Sequence, residues 1–144
     1  MGYRRKSREY ALQMLYQYDM SHQPEGLPEG LINGFWTFKE VPENVREFTD
    51  NIVEGVIKNL SMIDSKIKQS AMNWSIDRMA VVDRNILRMA IYELLFIKDI
   101  PVKVTINEAI EIAKRFGGED SSSFVNGILD RVLKDNQEMI GDKL

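Results

Sequence analysis

The segment Val82–Ile97, VDRNILRMAIYELLFI, constrains the fold more than any other part of this chain. Between Ile86 and Ile97 only Arg88 and Glu93 are charged, and apolar residues fall on every side of a helical wheel. A helix apolar all round is buried on most sides, so the other elements must pack around it. It lacks the run of about eighteen or more apolar residues that a membrane span needs. If about ten of its side chains are buried, each contributes about 1.5–3 kcal/mol relative to exposure. Chain entropy offsets most of that gain.

The rest of the chain reads as helices of ordinary amphipathic kind. Ser7–Met20 carries Ala11, Leu15 and Tyr18 on one face, with Leu12 and Met14 at its edges and Arg5, Glu9, Gln13, Tyr16 and Gln17 opposite. Arg4 would fall on the apolar face, so the segment before Ser7 is expected to be irregular or loosely helical. Ser21–Gly30 holds Pro24, Gly26, Pro28 and Gly30, a loop by its breakers. A short helix follows around Leu31–Lys39, anchored by Phe35 and Trp36. Asn44–Leu60 has Val45, Phe48, Ile52, Val56 and Leu60 at helical spacing. Ser61 could cap a helix through Ile63, Ile67 and Met72, and Ser75 a short turn leading into Val82.

Pro101 stops the central helix. Thr105 and Glu108 have capping-box spacing, ahead of a stripe of Ile106, Ala109, Ile110 and Ala113 that Phe116 is expected to close. Gly117-Gly118 should end that helix in the left-handed conformation. Ser121 or Ser122 should cap the last helix, whose core stripe is Val125, Ile128, Leu129 and Val132. The tail after Gln137 is expected to fray. The class is all-α, a compact bundle of about seven helices in one domain spanning residues 1–144.

Several chemistries find no support. The chain has no cysteine and one histidine, His22, in a breaker-rich loop without a nameable partner. Neither thiolate chemistry nor a clustered imidazole metal site fits. Glu108 and Glu111 share a helix face, but solvation and capping explain them. Gly117-Gly118 matches no phosphate-loop pattern. No positioned acid–base pair is visible, so the chain is not read as an enzyme, and no cofactor is expected. No apolar h-region follows the N-terminal MGYRRKSREY, so a cytoplasmic protein is expected, without a membrane partner.

The charge distribution says more than the net charge of −3. Arg4, Arg5, Lys6 and Arg8 cluster at the start, while residues 23–54 are acidic. Arginine offers phosphate a planar fork and bases a stacking face; the alternative is a basic tail that only aids solubility. The turn Gly117–Ser123 and the helix start after it carry amides and serines suited to phosphate. Asp120 could accept from a base amino group, and ordinary capping is the alternative. Phe124 falls off its helix stripe and Tyr16 lies on a polar face, so either ring could stack on an unpaired base. Gly127, in mid-helix, either admits a close backbone or has no particular role. These features form one site only if the first helix packs beside the last two.

Two blocks carry a resemblance: RRKSREYALQMLYQ at Arg4–Gln17, and VDRNILRMAIYELLF followed by IPVKVTINEAIEIAKRFGGEDSSSFVNGILDRV up to Val132. The chain resembles the NusB family of transcription antitermination factors over nearly its whole length. The resemblance implies two packed three-helix subdomains with an extra helix. It implies binding of the single-stranded boxA element in ribosomal RNA leaders, as a heterodimer with a small-subunit ribosomal protein acting as NusE, within an RNA polymerase antitermination complex. By position, the RNA surface would include Arg4, Arg5, Lys6, Arg8, Lys103, Phe116, Asp120, Ser121 and Phe124. Tyr16 and Asp83 would face the ribosomal protein, Asp83 from a polar turn. Ser123 stands where some relatives are expected to have lysine, which removes one phosphate contact. A homodimer in the absence of partners is a further implication.

Two other readings compete. An RNA-targeting helical domain of ribosomal RNA cytosine methyltransferases would be followed by a donor-binding Rossmann half, and none is expected before Leu144. A protein-interaction module would use the acidic face alone and bind no RNA.

Overall fold

The computed structural model of the chain describes residues 2–21, 29–37, 39–72 and 74–143. His22 and most of the loop expected at Ser21–Gly30 lie outside the described residues. Every regular element among the described residues is helical.

Helix α1 (Tyr3–Met20) begins a turn earlier than expected. Arg4 does fall on the apolar side, but its guanidinium sits 4.8 Å from the centroid of the Phe48 ring, with the Tyr3 ring edge-on to Phe48. A cation over an aromatic face is attracted by the ring quadrupole, so this arginine extends the helix instead of stopping it. Helix α2 (Glu29–Trp36) buries Ile32, Phe35 and Trp36, and the Trp36 indole donates to Asp50 Oδ1 at 2.8 Å. Tyr10, Phe35 and Trp36 meet edge-to-face.

Helix α3 (Glu43–Lys58) and helix α4 (Leu60–Ser70) meet at Asn59. Ser61 is not a cap; Asn59 Nδ2 instead donates to the Gly55 carbonyl at 2.8 Å, closing the end of α3. Ile63 and Ile67 are buried as their spacing requires, but Met72 lies past the helix end and is exposed. Ser75 does cap the 3₁₀ turn Ile76–Arg78, accepting from the Asp77 amide.

Helix α5 (Val81–Phe96) is buried from Asn85 to Leu95 without a break. It packs on α1 and α3 on one side and on α4, helix α6 (Val102–Phe116) and helix α7 (Ser121–Asp135) on the other. The helices α1, α2 and α3 therefore form one group and α4, α6 and α7 a second, with α5 shared between them. One continuous apolar cluster runs through both groups. The two charges within the continuously buried stretch of α5, Arg88 and Glu93, are each answered by a neighbour. Arg88 makes two bonds to Asp64, at 2.8 and 2.9 Å, and one to Asp19 at 3.0 Å. Glu93 receives Arg8. At Gly55 on α3 an added Cβ would lie 2.1 Å from the Tyr92 ring, so only glycine allows this approach of α3 to α5.

Four expectations about helix ends are corrected. Thr105 and Glu108 are not a capping box, because α6 starts at Val102 behind Pro101. Proline is pre-set for a helix start, which leaves both side chains to bond other helices. Gly117 is extended (φ −92, ψ −173), not left-handed; a Cβ there would lie 2.5 Å from Ser121 Oγ. Neither Ser121 nor Ser122 is the N-cap of α7; Asp120 holds that position, without a side-chain cap bond. Residues 137–143 do not fray. Helix α8 (Gln137–Ile140) buries Ile140, and Lys143 Nζ donates to the carbonyls of Ile97 at 2.7 Å and Glu93 at 2.9 Å. A cation at a helix C-terminus answers orphan carbonyls and the dipole. Gly127 has open space where a Cβ would be, so no close backbone explains it.

Candidate nucleic-acid interface

The basic N-terminal cluster is the first turns of α1, joined to α6 by side-chain ion pairs, not an arm. Arg8 is 4% exposed. Its Nε and Nη2 donate to the two oxygens of Glu93 at 2.7 and 2.8 Å, and Nη1 reaches Glu108 at 3.4 Å. Thr105 Oγ1 completes Glu93 at 3.1 Å. Arg5 grips Glu108 with two donors, Nε at 2.8 Å from Oε1 and Nη2 against Oε2. The hydrogen bonds from Arg5 hold the Glu108 carboxyl below its ordinary range, against burial acting the other way. Glu9, also buried, accepts from Arg115 Nη1 at 2.9 Å.

These pairs sort the cationic candidates. The donors of Arg5 and Arg8 are turned to carboxylates. Arg4 is half-buried and reaches exposed Asp99 at 3.2 Å. Lys6 is exposed, with Glu9 no nearer than 4.0 Å. Lys103, in the first turn of α6, is exposed. Exposed Lys114 and Arg115 line a shallow cleft of about 210 Å³ with Arg5 and Glu9. The sequence reading did not count these two as candidates. Their outward position was the available signal.

The serine turn follows directly on α6. Ser121 is buried, and its Oγ accepts from the Gly118 amide at 2.8 Å, fixing the turn. Asp120 is exposed beside it. Phe116, expected in the core, is instead exposed, with the Arg115 guanidinium 5.2 Å from its ring centroid. It closes the last turn of α6, where no neighbouring element covers the stripe. Between Glu108, which holds Arg5, and Phe116, the helix rises about 12 Å. The first turns of α1 and the Gly117–Ser121 turn therefore border the same helix.

Phe124 is half-buried, its ring edge-to-face with Trp74 at 5.9 Å and 77°. The sequence reading gave Trp74 no role; only the packing of the segment before α5 against α7 brings the two rings together. Asp83 was read on a polar turn, but it is 8% exposed and its Oδ1 is buried without a hydrogen-bond partner. Tyr16 is exposed on α1. Near it, Asp19 ties α1 to α5 by accepting from Arg84 twice at 2.6 Å and from Asn85 at 2.9 Å. Burial acts to raise the Asp19 carboxyl, but these bonds and the charge of Arg88 outweigh it and hold it below its ordinary range.

Among the described residues no group of three His, Cys, Asp or Glu is placed to hold a metal ion. No helix is long and apolar enough to cross a membrane. The arrangement offers ring faces, acceptors and cations, the kinds of group that bind a nucleic-acid strand.

Comparison with known proteins points the same way. The family model described as "NusB family" matches residues 5–134. The transcription antitermination protein NusB of Trichlorobacter lovleyi is 49% identical over 132 residues, covering 92% of this chain and 91% of its own. Its counterpart in Desulfitobacterium hafniense is 47% identical over 131 residues, covering 91% and 88%. Among solved structures, NusB of T. maritima is similar with a TM-score of 0.81 and 43% identity, covering 92% of this chain and 91% of that one. A structure of antitermination factors NusB and NusE in complex with dsRNA matches with a TM-score of 0.81 and 28% identity, covering 92% and 97%.

Proposed function

The chain belongs to the NusB family, and on that premise we propose that it is a non-catalytic antitermination factor that binds RNA together with NusE. In this reading it binds the boxA element of nascent ribosomal RNA leaders in the cytoplasm. A small-subunit ribosomal protein acts as its NusE, and the pair joins the RNA polymerase antitermination complex.

The observation that supports this reading is that α6 links the two candidate segments: Arg5 in the first turn of α1 is bound to its Glu108, its last turn carries exposed Phe116, and the turn bearing Asp120, ahead of half-buried Phe124 on α7, follows directly. Single-strand recognition works by stacking and base-edge bonds. Phe116 and Phe124 supply rings and Asp120 an acceptor, while Arg4, Lys6, Lys103 and Arg115 supply phosphate attraction. Arg5 and Arg8 act as positioning residues that tie α1 to α6 and α5 respectively, and Ser121 shapes the turn. Tyr16 is offered to the ribosomal protein.

The test is titration of a boxA oligoribonucleotide, with and without the ribosomal protein, beside a duplex of equal length. Tighter binding of the single strand with the partner present is expected. Equal weak binding of all the nucleic acids, partner or not, would leave only a protein-interaction module.

A further inference from the structure

Between the Ile76–Arg78 turn and the Gly117–Ser121 turn lies a cleft of about 390 Å³. Two of its walls are aromatic, Trp74 and Phe124. Trp74 is 56% exposed, whereas Trp36 is buried and hydrogen-bonded. An indole usually hides its large apolar surface and finds a partner for its N–H when buried. Trp74 leaves more than half of its surface exposed, and no described residue accepts from its indole N–H, so core packing does not account for it.

The cleft is also lined by the largely buried Asp83, whose Oδ1 is shielded from solvent and accepts no hydrogen bond. A buried acceptor left unmade is costly, and a donor entering the cleft would complete it. Glu119 and Asp120 line the same space, with Arg78 as the cation there. Three carboxylates repel a phosphate, so a strand crossing here must turn a base inward and keep its backbone outside. Arg78 is the cation available to that backbone.

We propose that Trp74 and Asp83 form a pocket for one unpaired base of single-stranded RNA that carries an exocyclic amino group. The base stacks on the Trp74 indole beside Phe124, and its amino group donates to Asp83 Oδ1. Adenine, cytosine and guanine carry such a donor, and uracil does not. Two ring walls offer more flat apolar surface than one cationic head group covers, and the cleft opens onto the turn already assigned to RNA. The inference rests on the RNA-binding reading above and adds Trp74 to it. It also gives Asp83 to the RNA, where the family resemblance would give it to the ribosomal protein.

The probes are short oligo(A), oligo(C) and oligo(U), titrated into the full chain by fluorescence anisotropy with Trp74 emission followed in parallel. The wild-type chain is expected to prefer oligo(A) and oligo(C) over oligo(U). Trp74→Ala should lose about tenfold in affinity, while Trp74→Phe keeps most of it. Asp83→Asn, which presents an amide donor, should narrow the preference against oligo(U). Unchanged RNA affinity in Trp74→Ala, with the wild type still binding, overturns this inference alone. So does a Trp74→Ala effect confined to the ribosomal protein, which would make the pocket a seat for a basic side chain. A wild-type chain that binds none of the three and no boxA RNA would overturn both readings.

Discussion

Arg8 and Glu93, 85 residues apart, form a two-bond ion pair inside the bundle, with bonds of 2.7 and 2.8 Å and both side chains almost fully buried. The pair joins α1 to the centre of α5, and Thr105 brings α6 to the same carboxylate. Three helices from both halves of the fold thus meet at one charge. Arg8→Ala should therefore destabilise the chain by about 3–5 kcal/mol, the usual cost of leaving a buried charge without its partner. Replacing both residues by methionine should cost less than the single change, because no orphan charge remains. Urea unfolding of the three variants checks this. A stable Arg8→Ala that merely binds RNA less well would make Arg8 a phosphate contact after all.

The carboxyls of Glu108 and Asp19 both titrate lower in the folded chain than in the unfolded one. As pH falls, the unfolded state takes up protons first, so folding weakens. Their contribution is complete above the unfolded carboxyl values of about 4 and is lost as pH drops through the lower folded values. The urea midpoint should therefore decline between about pH 5 and pH 3. Glu108→Gln should show a lower midpoint at neutral pH and a shallower decline. An identical decline in that variant would remove the Arg5–Glu108 pair from the explanation.

Two glycines should respond in opposite directions. Gly127 sits in the interior of α7 with open space around it, so Gly127→Ala should stabilise by about 0.5–1 kcal/mol through helix propensity. Gly55→Ala drives a methyl into the Tyr92 ring and should destabilise by about 1–3 kcal/mol. Thermal unfolding of the two variants, measured side by side, reads both effects.

Salt dependence of RNA binding separates the surface cations from the arginines held in two-bond ion pairs. If Arg4, Lys6, Lys103 and Arg115 neutralise about four phosphates, the logarithmic salt slope should be near −3, about −0.7 for each contact on a single strand. Lys6→Ala should make the slope shallower by about 0.7. Arg5→Lys, which keeps a charge facing Glu108, should leave it unchanged. A slope that moves with Arg5 and not with Lys6 would reverse this assignment.

The apolar periodicity already contained the helical class, the burial of α5 and the core stripes of α3 and α7, because a 3.6-residue repeat is a local property of the chain; on α6 the buried line runs through Thr105, Ala109, Ile112 and Ala113 instead of Ile106, Ile110 and Phe116. The family was equally legible, carried by continuous runs such as INEAIEIAK and FVNG. The state of each charge was not. The same cluster, Arg4, Arg5, Lys6 and Arg8, contains a stacked arginine, two arginines locked onto carboxylates and one exposed lysine. Their partners Asp99, Glu108 and Glu93 lie 85 to 103 residues away. Thr105 and Glu108 had the spacing of a cap and became partners of α5 and α1 instead. Trp74 acquired a neighbour only when the segment before α5 packed against α7. Periodicity records which face of a helix avoids water. Which cations stay available to a ligand depends on the carboxylates the folded chain sets beside them, and only the tertiary structure decides that.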